Sequence, residues 1–427
     1  MKLSTIARIF RESLAGRNPR ELYWGFSKSA HRYKQMINVE NHVFAKAVLD
    51  DNWKFLFAAV KPVAGENEQR MKAAADWLIR AKKASDDNGV SLGYFPCQTL
   101  YDSPWFPSYP ETTGYIIQSL VEYSQKYNDP SILEHALSMA TWESEVQMSS
   151  GAVQGGPLCD PENQAAAIFN TGMVLQGYTA AIRAGADKDI LKAAYRAADY
   201  LVNDIGSDGH FQTHGQFVTH EKIKTYNCLC SWALYRFSED TGKSHYKEAA
   251  IRTVEAAIGE QRESGWFANN CLTNPLAPLT HTIGYTLQGI LEVGLLSGRE
   301  DFLAAVVKGV NPVIEKIKEN GFLYGRFYSN WEPACFSSCL TGSAQIAIVC
   351  FRLFEKIGSQ KYKNSADKLV NFLKSLQKLD SPNDAMNGAI AGSFPRSGSY
   401  MTMGYPNWAT KYFLDCLMWQ SKFMDSQ

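Results

Sequence analysis

Glycine followed by apolar or aromatic residues recurs at Gly93-Tyr94-Phe95, Gly151-Ala152-Val153, Gly209-His210-Phe211, Gly265-Trp266-Phe267, Gly321-Phe322-Leu323 and Gly388-Ala389-Ile390. The first five rungs are separated by 58, 58, 56 and 56 residues, and the sixth follows after 67. A period this long marks a repeat architecture, in which no unit buries its apolar face alone. Each period has room for two helices of roughly 15 residues with their connections. Six such units can close into a ring. The expected fold is therefore all-α: an (α/α)6 toroid, a barrel of six helical hairpins.

Within each unit one segment is rich in small residues and aromatics, as in Thr112-Thr113-Gly114-Tyr115, Asn170-Thr171-Gly172-Met173 and His281-Thr282-Ile283-Gly284-Tyr285. Small residues all round a helix mean crowding on several sides, which suits an inner ring. Glycine inside a helix costs ~1 kcal/mol against alanine, so its recurrence calls for close helix–helix approach. The partner segments are amphipathic, as in Asp189-Ile190-Leu191-Lys192-Ala193-Ala194-Tyr195, and read as outer helices with one face in water. Residues 61–427 form the toroid in this reading. Residues 1–60 form an N-terminal helical extension, whose Trp24, Phe26, Trp53, Phe55 and Phe57 are expected to pack on the ring or on a second copy of the chain.

Composition narrows the function classes. Lys+Arg 43 balances Asp+Glu 43, so no net field favours nucleic acid or an anionic membrane. The first 40 residues lack the ~7–15-residue apolar run of a signal peptide. No stretch approaches the ~20 apolar residues that membrane insertion requires. The chain reads as soluble and cytoplasmic. Its nine cysteines lack paired C-x-x-C spacing and are expected to be reduced, compact core residues. His210, His214 and His220 cluster in one loop, but their spacing is not that of a metal site, so no metal is expected. No GxGxxG or P-loop motif appears, and no organic cofactor is implied.

Parallel inner helices put all six N-termini on one rim. The long loops after each ladder glycine converge there and carry Trp105, Tyr109, Trp266, Tyr328, Trp331, Tyr400 and Tyr405. That rim is the expected functional face.

Here the chain resembles the (α/α)6-toroid carbohydrate-active proteins, namely toroid glycoside hydrolases, polysaccharide lyases and the helical domain of uronyl C5-epimerases. The segments that carry the resemblance are Trp331-Glu332-Pro333 with Cys339-Leu340-Thr341-Gly342-Ser343-Ala344-Gln345, then Pro278-Leu279-Thr280-His281-Thr282-Ile283-Gly284-Tyr285. Gly392-Ser393-Phe394-Pro395 with Tyr405-Pro406-Asn407-Trp408-Ala409 completes the set. The likeness spans roughly residues 65–425 and implies a carbohydrate substrate. The pair of catalytic aspartates that uronate hydrolases place on adjacent inner-helix starts has no counterpart in this chain. Neither the Asp-rich motif of terpene cyclases nor the zinc set of prenyltransferases is found.

Lyase or C5-epimerase chemistry on an acidic poly- or oligosaccharide needs a base facing C5, an acid, and groups that neutralise the uronate carboxylate. His281, Tyr226, Asn227, Arg326 and Tyr328 are the candidates for these roles. Hydrolysis instead needs two carboxylates ~5–9.5 Å apart, and Glu111 with Asp160 is the candidate pair. Trp105, Tyr109, Asn170, Trp266, Asn270, Trp331, Glu332, Arg396, Tyr400, Tyr405 and Asn407 are expected to bind substrate, aromatic faces packing on sugar rings and polar groups fixing hydroxyls. A non-catalytic glycan-binding or assembly role is the third reading.

Overall fold

The structure, a computed structural model, describes residues 34, 41–58, 60–98, 100–215 and 222–424. Trp24, Phe26 and His220 lie outside them. In chain order the helices are α1 (His42–Phe57), α2 (Asn67–Lys83), α3 (Pro110–Tyr127), α4 (Pro130–Val146), α5 (Ile168–Arg183), α6 (Lys188–Asn203) and α7 (Leu229–Thr241). They continue with α8 (Ser244–Gly259), α9 (Thr280–Ser297), α10 (Glu300–Ile314), α11 (Leu340–Ile357), α12 (Gln360–Leu376) and α13 (Asn407–Met424). Helices α3, α5, α7, α9, α11 and α13 form the inner ring. Each packs on the next, and α13 packs back on α3. The ring is closed. This is the (α/α)6 toroid expected from the repeat.

Inner-helix glycines set the tightness of that ring. A Cβ on Gly114 would come within 2.6 Å of Val174 Cα on the neighbouring helix α5, and one on Gly177 would overlap the carbonyl of Gly114. The same crowding joins Gly342 to the backbone of Thr280 and His281. None of the nine cysteines is in a disulfide, and eight of them are buried. Cys230, for instance, packs where a Cβ on Gly172 would stand. Among the described residues no helix is long and apolar enough to cross a membrane.

The ladder glycines sit where one unit's loop meets the next unit's outer helix. Gly151, Gly265 and Gly321 have φ of 89°, 83° and 85°, and a Cβ on each would overlap the carbonyl oxygens of Arg196, Lys308 and Lys368 respectively. Gly388, at φ 84°, meets Ala73 on α2 in the same way, so the sixth loop locks onto the first outer helix. In the first unit this position is taken by Gly89, whose Cβ would lie 2.6 Å from the Trp142 ring on α4. Gly93 belongs instead to a short strand. Strand β1 (Gly93–Tyr94) pairs antiparallel with β4 (Tyr405–Pro406), and β2 (Ser338–Cys339) with β3 (Ser393–Phe394). The β1–β4 ladder is a second tie between the two ends of the ring.

Helix α1 docks on the sixth loop. Arg396 pairs with Asp51 at 2.5 Å, and its Nε donates to Tyr405 Oη at 2.9 Å. Phe55 packs against Phe322 and Phe394, and Phe44 against Tyr405. Trp53 and Phe57 stack on one another and are exposed.

Replacing Gly321 with alanine is expected to cost more than the ~1–3 kcal/mol of left-handed backbone strain alone, because the Cβ also meets backbone. Gly242→Ala, at φ 69° with nothing within 4 Å, isolates the strain component. Urea midpoints of the two variants should rank Gly321→Ala clearly below Gly242→Ala; equal midpoints would refute the packing role.

Candidate active site

A cavity of about 340 Å3 opens among the N-termini of the inner helices. Six aromatic side chains line it, Tyr109, Phe169, Tyr226, Tyr285, Tyr400 and Trp408, with Glu111, Asn170, His214 and His281 among its polar groups. Tyr226 arrives on a 3-10 turn (Thr225–Cys228) ahead of α7. No Lys or Arg is part of this lining among the described residues.

Glu111 is the second residue of α3, after Pro110, whose fixed φ suits a helix start. A helix N-terminus favours a carboxylate. Loss of hydration outweighs that, and pushes the Glu111 carboxyl up to about 7. Tyr109 Oη donates to Glu111 Oε2 at 2.5 Å and opposes the shift. The Tyr109 phenol is itself driven well above its ordinary value by burial and by the Glu111 charge. The chemistry on offer is one carboxyl group that titrates near neutrality, held by a phenol that stays protonated.

His281 is the second residue of α9 and is buried. Burial, and then the Arg326 cation, push its imidazole down to about 3. Its Nδ1 has no hydrogen-bond partner. The ring lies 4.5 Å from Tyr285 and 5.3 Å from Tyr400, centroid to centroid. Tyr400 is fixed by Trp408, whose Nε1 donates to its Oη at 2.9 Å. His214 contacts the Lys222 carbonyl oxygen through Nε2 at 2.6 Å and Asn227 Nδ2 through Nδ1 at 3.0 Å. Assigning the proton to Nε2 satisfies both contacts, so Asn227 acts on the cavity through His214.

The cavity thus brings together Glu111, Tyr109, Asn170, Tyr226, His281 and Tyr400 from the residues singled out in the sequence. Arg326 stands behind His281, with its Nη1 donating to the Ala277 carbonyl at 2.6 Å. The other candidates are placed elsewhere. Asp160 is exposed at the start of a 3-10 turn and does not line the cavity with Glu111. Tyr328 and Glu332 close a turn on each other at 2.9 Å, and Glu332 lies 3.7 Å from Lys316. Trp266 and Trp331 pack edge to face at 5.3 Å, and Trp105 sits against Trp77 and Tyr94. Asn270 accepts from Thr286, Asn407 donates to Ser91 and Thr112, and Arg396 with Tyr405 holds α1. The Trp266–Trp331 pair and the Asn407 hydrogen bonds are joints between units, and Arg396 with Tyr405 is a joint to α1.

Sequence reasoning passed over Tyr285, Trp408 and Phe169. A signal existed for Tyr285, which lies four residues after His281 and therefore on the same helix face. Trp408 follows Asn407, and only the ring's curvature decides which of the two faces the axis. Among the described residues no group of three or more His, Cys, Asp or Glu side chains is placed to hold a metal ion.

No protein-family model and no curated protein matches the chain. Solved structures do match over most of its length. A heparin-specific unsaturated glucuronyl hydrolase superposes with TM-score 0.66 at 14% identity, covering 84% of this chain and 98% of the other. The unsaturated glucuronyl hydrolase of Bacillus sp. GL1 gives TM-score 0.63 at 16% identity, with 82% and 96% covered. Cellobiose 2-epimerase from Bacillus thermoamylovorans B4167 gives 0.64 at 11% identity, with 83% and 98% covered. The chain shares the (α/α)6-toroid fold of these carbohydrate-active enzymes.

The Glu111 carboxyl is raised from 4.5 to about 7 on folding, so the folded state holds its proton more tightly than the unfolded chain. The stability this contributes is complete below about pH 4.5 and is lost as pH rises through about 7. Glu111→Gln should therefore be more stable than the wild type at pH 8, by at most ~3 kcal/mol, and closely matched at pH 4.5. Urea unfolding at the two pH values checks this; a constant difference between the proteins would contradict it.

Proposed function

We propose that the protein is a carbohydrate-active enzyme that moves a proton at carbon, acting on an acidic poly- or oligosaccharide by lyase or C5-epimerase chemistry. The observation that carries this reading is the lone enclosed carboxyl of Glu111, titrating near 7 amid protonated phenols and a neutral imidazole. A general base works best when its pKa lies near the working pH. Glu111 takes the proton from C5 of a bound uronate. Arg326, behind His281, makes that wall the electropositive side and the place for the uronate carboxylate. Phenols of Tyr226, Tyr400 or Tyr109 serve as hydrogen-bond donors and proton sources.

Two outcomes share this first step. In a lyase the C5–H electrons form the C4=C5 bond, the C4–O bond breaks, and the leaving oxygen takes a proton from a phenol. In an epimerase a proton returns to C5 from the opposite face. Hydrolysis by two carboxylates is less well served, because Asp160 does not join Glu111 at the cavity. A second reading follows from the same single acid together with the fold shared with unsaturated glucuronyl hydrolases. Protonating an unsaturated uronyl group at C4 needs one proton donor, after which water adds at C5.

The test uses uronate-containing oligosaccharides, saturated and unsaturated, in heavy water. A lyase generates ultraviolet absorbance from the conjugated uronate, whereas an epimerase incorporates deuterium at C5 with no absorbance change. Hydration bleaches the unsaturated substrate. Glu111→Gln is expected to lower the observed rate by ~10²–10⁴-fold. Binding of all substrates with none of the three signals would overturn the enzymatic reading in favour of a glycan-binding protein.

A further inference from the structure

The rings around the cavity do not form a flat platform. Phe169 meets Tyr226 at 64° with centroids 5.5 Å apart, and Tyr285 at 52° and 4.7 Å. Tyr109, which holds Glu111, meets Trp408 at 76° and 6.2 Å. All five rings line the same space of about 340 Å3, the size of a small ligand pocket. A single open ring face is what the C–H side of a pyranose packs on. Rings set steeply to one another wall a space from several sides instead, and each ring face carries negative potential.

The charge of the wall has one sign. Glu111 is only half-buried; Tyr109 occupies its Oε2, and Oε1 accepts no hydrogen bond from the described residues. Its charge is felt by the phenols of Tyr109, Tyr226, Tyr285 and Tyr400, so the carboxyl stands in the middle of the rings. Burial drives both lining imidazoles, His214 and His281, toward the neutral form. With no Lys or Arg in the lining among the described residues, the wall's one charge is negative. Aromatic rings around a carboxylate, shielded from water, are the components that hold an organic ammonium ion.

An ammonium also answers a conflict of charge. Glu111 has to be ionised to act as a base. A bound uronate by itself works against that, because like charges repel strongly where water is excluded. A positive group on the same guest, close to Glu111, restores the ionised form.

We propose that the substrate of this cavity carries a free amino group near its carboxylate: a saccharide that joins a uronate to an amino sugar whose nitrogen bears no acyl group. The ammonium sits among the rings within reach of Glu111, and the carboxylate lies toward Arg326. The placing of the carboxylate rests on the function proposed above, whereas the ammonium site rests on the rings and the acid alone. Acylation of the nitrogen would remove the charge and add bulk among closely set rings.

The indole N–H of Trp408, identified in 15N-labelled protein by its loss in Trp408→Phe, reports on the cavity. Glucosamine, glucose and N-acetylglucosamine are titrated separately at about pH 7, where an amine of this kind stays largely protonated. Glucosamine is expected to move the signal saturably and to bind roughly ten- to thirtyfold more tightly than either neutral sugar. Phe169→Leu keeps apolar volume and removes a ring; it should weaken glucosamine about fivefold and leave glucose unchanged. Glucosamine binding no tighter than the neutral sugars, or no response to it, would overturn the proposal even if uronate substrates are turned over. A clear preference for glucosamine without turnover of any uronate would uphold the ammonium site and remove only the function proposed above.

Discussion

Everything at the mouth of this barrel depends on one kind of contact, the approach of backbone to backbone where a side chain is missing. Gly388 lies against the carbonyl of Ala73, and with that contact the last unit seats on the first. The β1–β4 ladder reinforces the seam, as does the hydrogen bond from Asn67 to Ser421. Each of these contacts joins residues more than 300 positions apart and so carries the closure cost of the whole ring, a cost that grows only slowly with loop length. Inside the ring, Gly114 and Gly177 bring α3 and α5 close enough for their carbonyls and side chains to interleave. A wider ring would let water into the axis, and the desolvation that raises Glu111 and depresses His281 would fade.

That desolvation acts on both groups in the same sense chemically, though in opposite directions on the pH scale. Each is driven toward its neutral form, the acid upward and the imidazole downward. At neutral pH the imidazole is accordingly uncharged, while Glu111 is poised about half ionised. An incoming carboxylate changes the balance: it favours the protonated imidazole, and it disfavours ionisation of Glu111 unless the donor Tyr109 and the helix N-terminus hold that charge. Acid and base are thus set by what is bound, with Arg326 positioned to take part of the anionic load.

The fold was legible because its signals are local. A glycine against the next outer helix recurs in every unit, at positive φ in all but the first, and that recurrence writes the period into the chain. The period misled at the first rung, where Gly93-Tyr94 mimics the pattern but is strand, and Gly89 does the packing against Trp142. The site was half legible for a related reason. Glu111, Tyr226 and His281 stand at or just ahead of inner-helix starts, and a helix start is readable from Pro110 or from the small-residue runs. Trp266, Trp331, Trp105 and Arg396 come from the same loops and the same residue classes, yet the first two wedge neighbouring units together, Trp105 packs on Trp77 and Tyr94, and Arg396 holds α1. Nothing in composition distinguishes a tryptophan that faces the axis from one that seals a seam; the turn geometry between ladder glycine and helix start decides it. Asp160 fails to join Glu111 for this reason, being carried outward on a 3-10 turn.

A smaller space of about 180 Å3 lies further along the axis, lined by residues of all six inner helices, and tyrosines stand between it and the first cavity. A tyrosine can close a barrel because its ring fills the axis while its hydroxyl reaches sideways for a partner. Tyr115, Tyr285 and Tyr412 converge from three different helices, and Lys411 lies 4.1 Å above the Tyr412 ring and 5.0 Å above that of Tyr115. Cations over aromatic faces in a dry setting bind with ~2 kcal/mol or more, so Lys411 and Asp415 brace the partition from below. Above it aromatic rings surround one titrating acid; below it the lining is largely amide and ion pair. One ring of helices therefore presents two chemically distinct faces to solutes, and the partition keeps the charged groups of the lower one from wetting the site that needs to be dry.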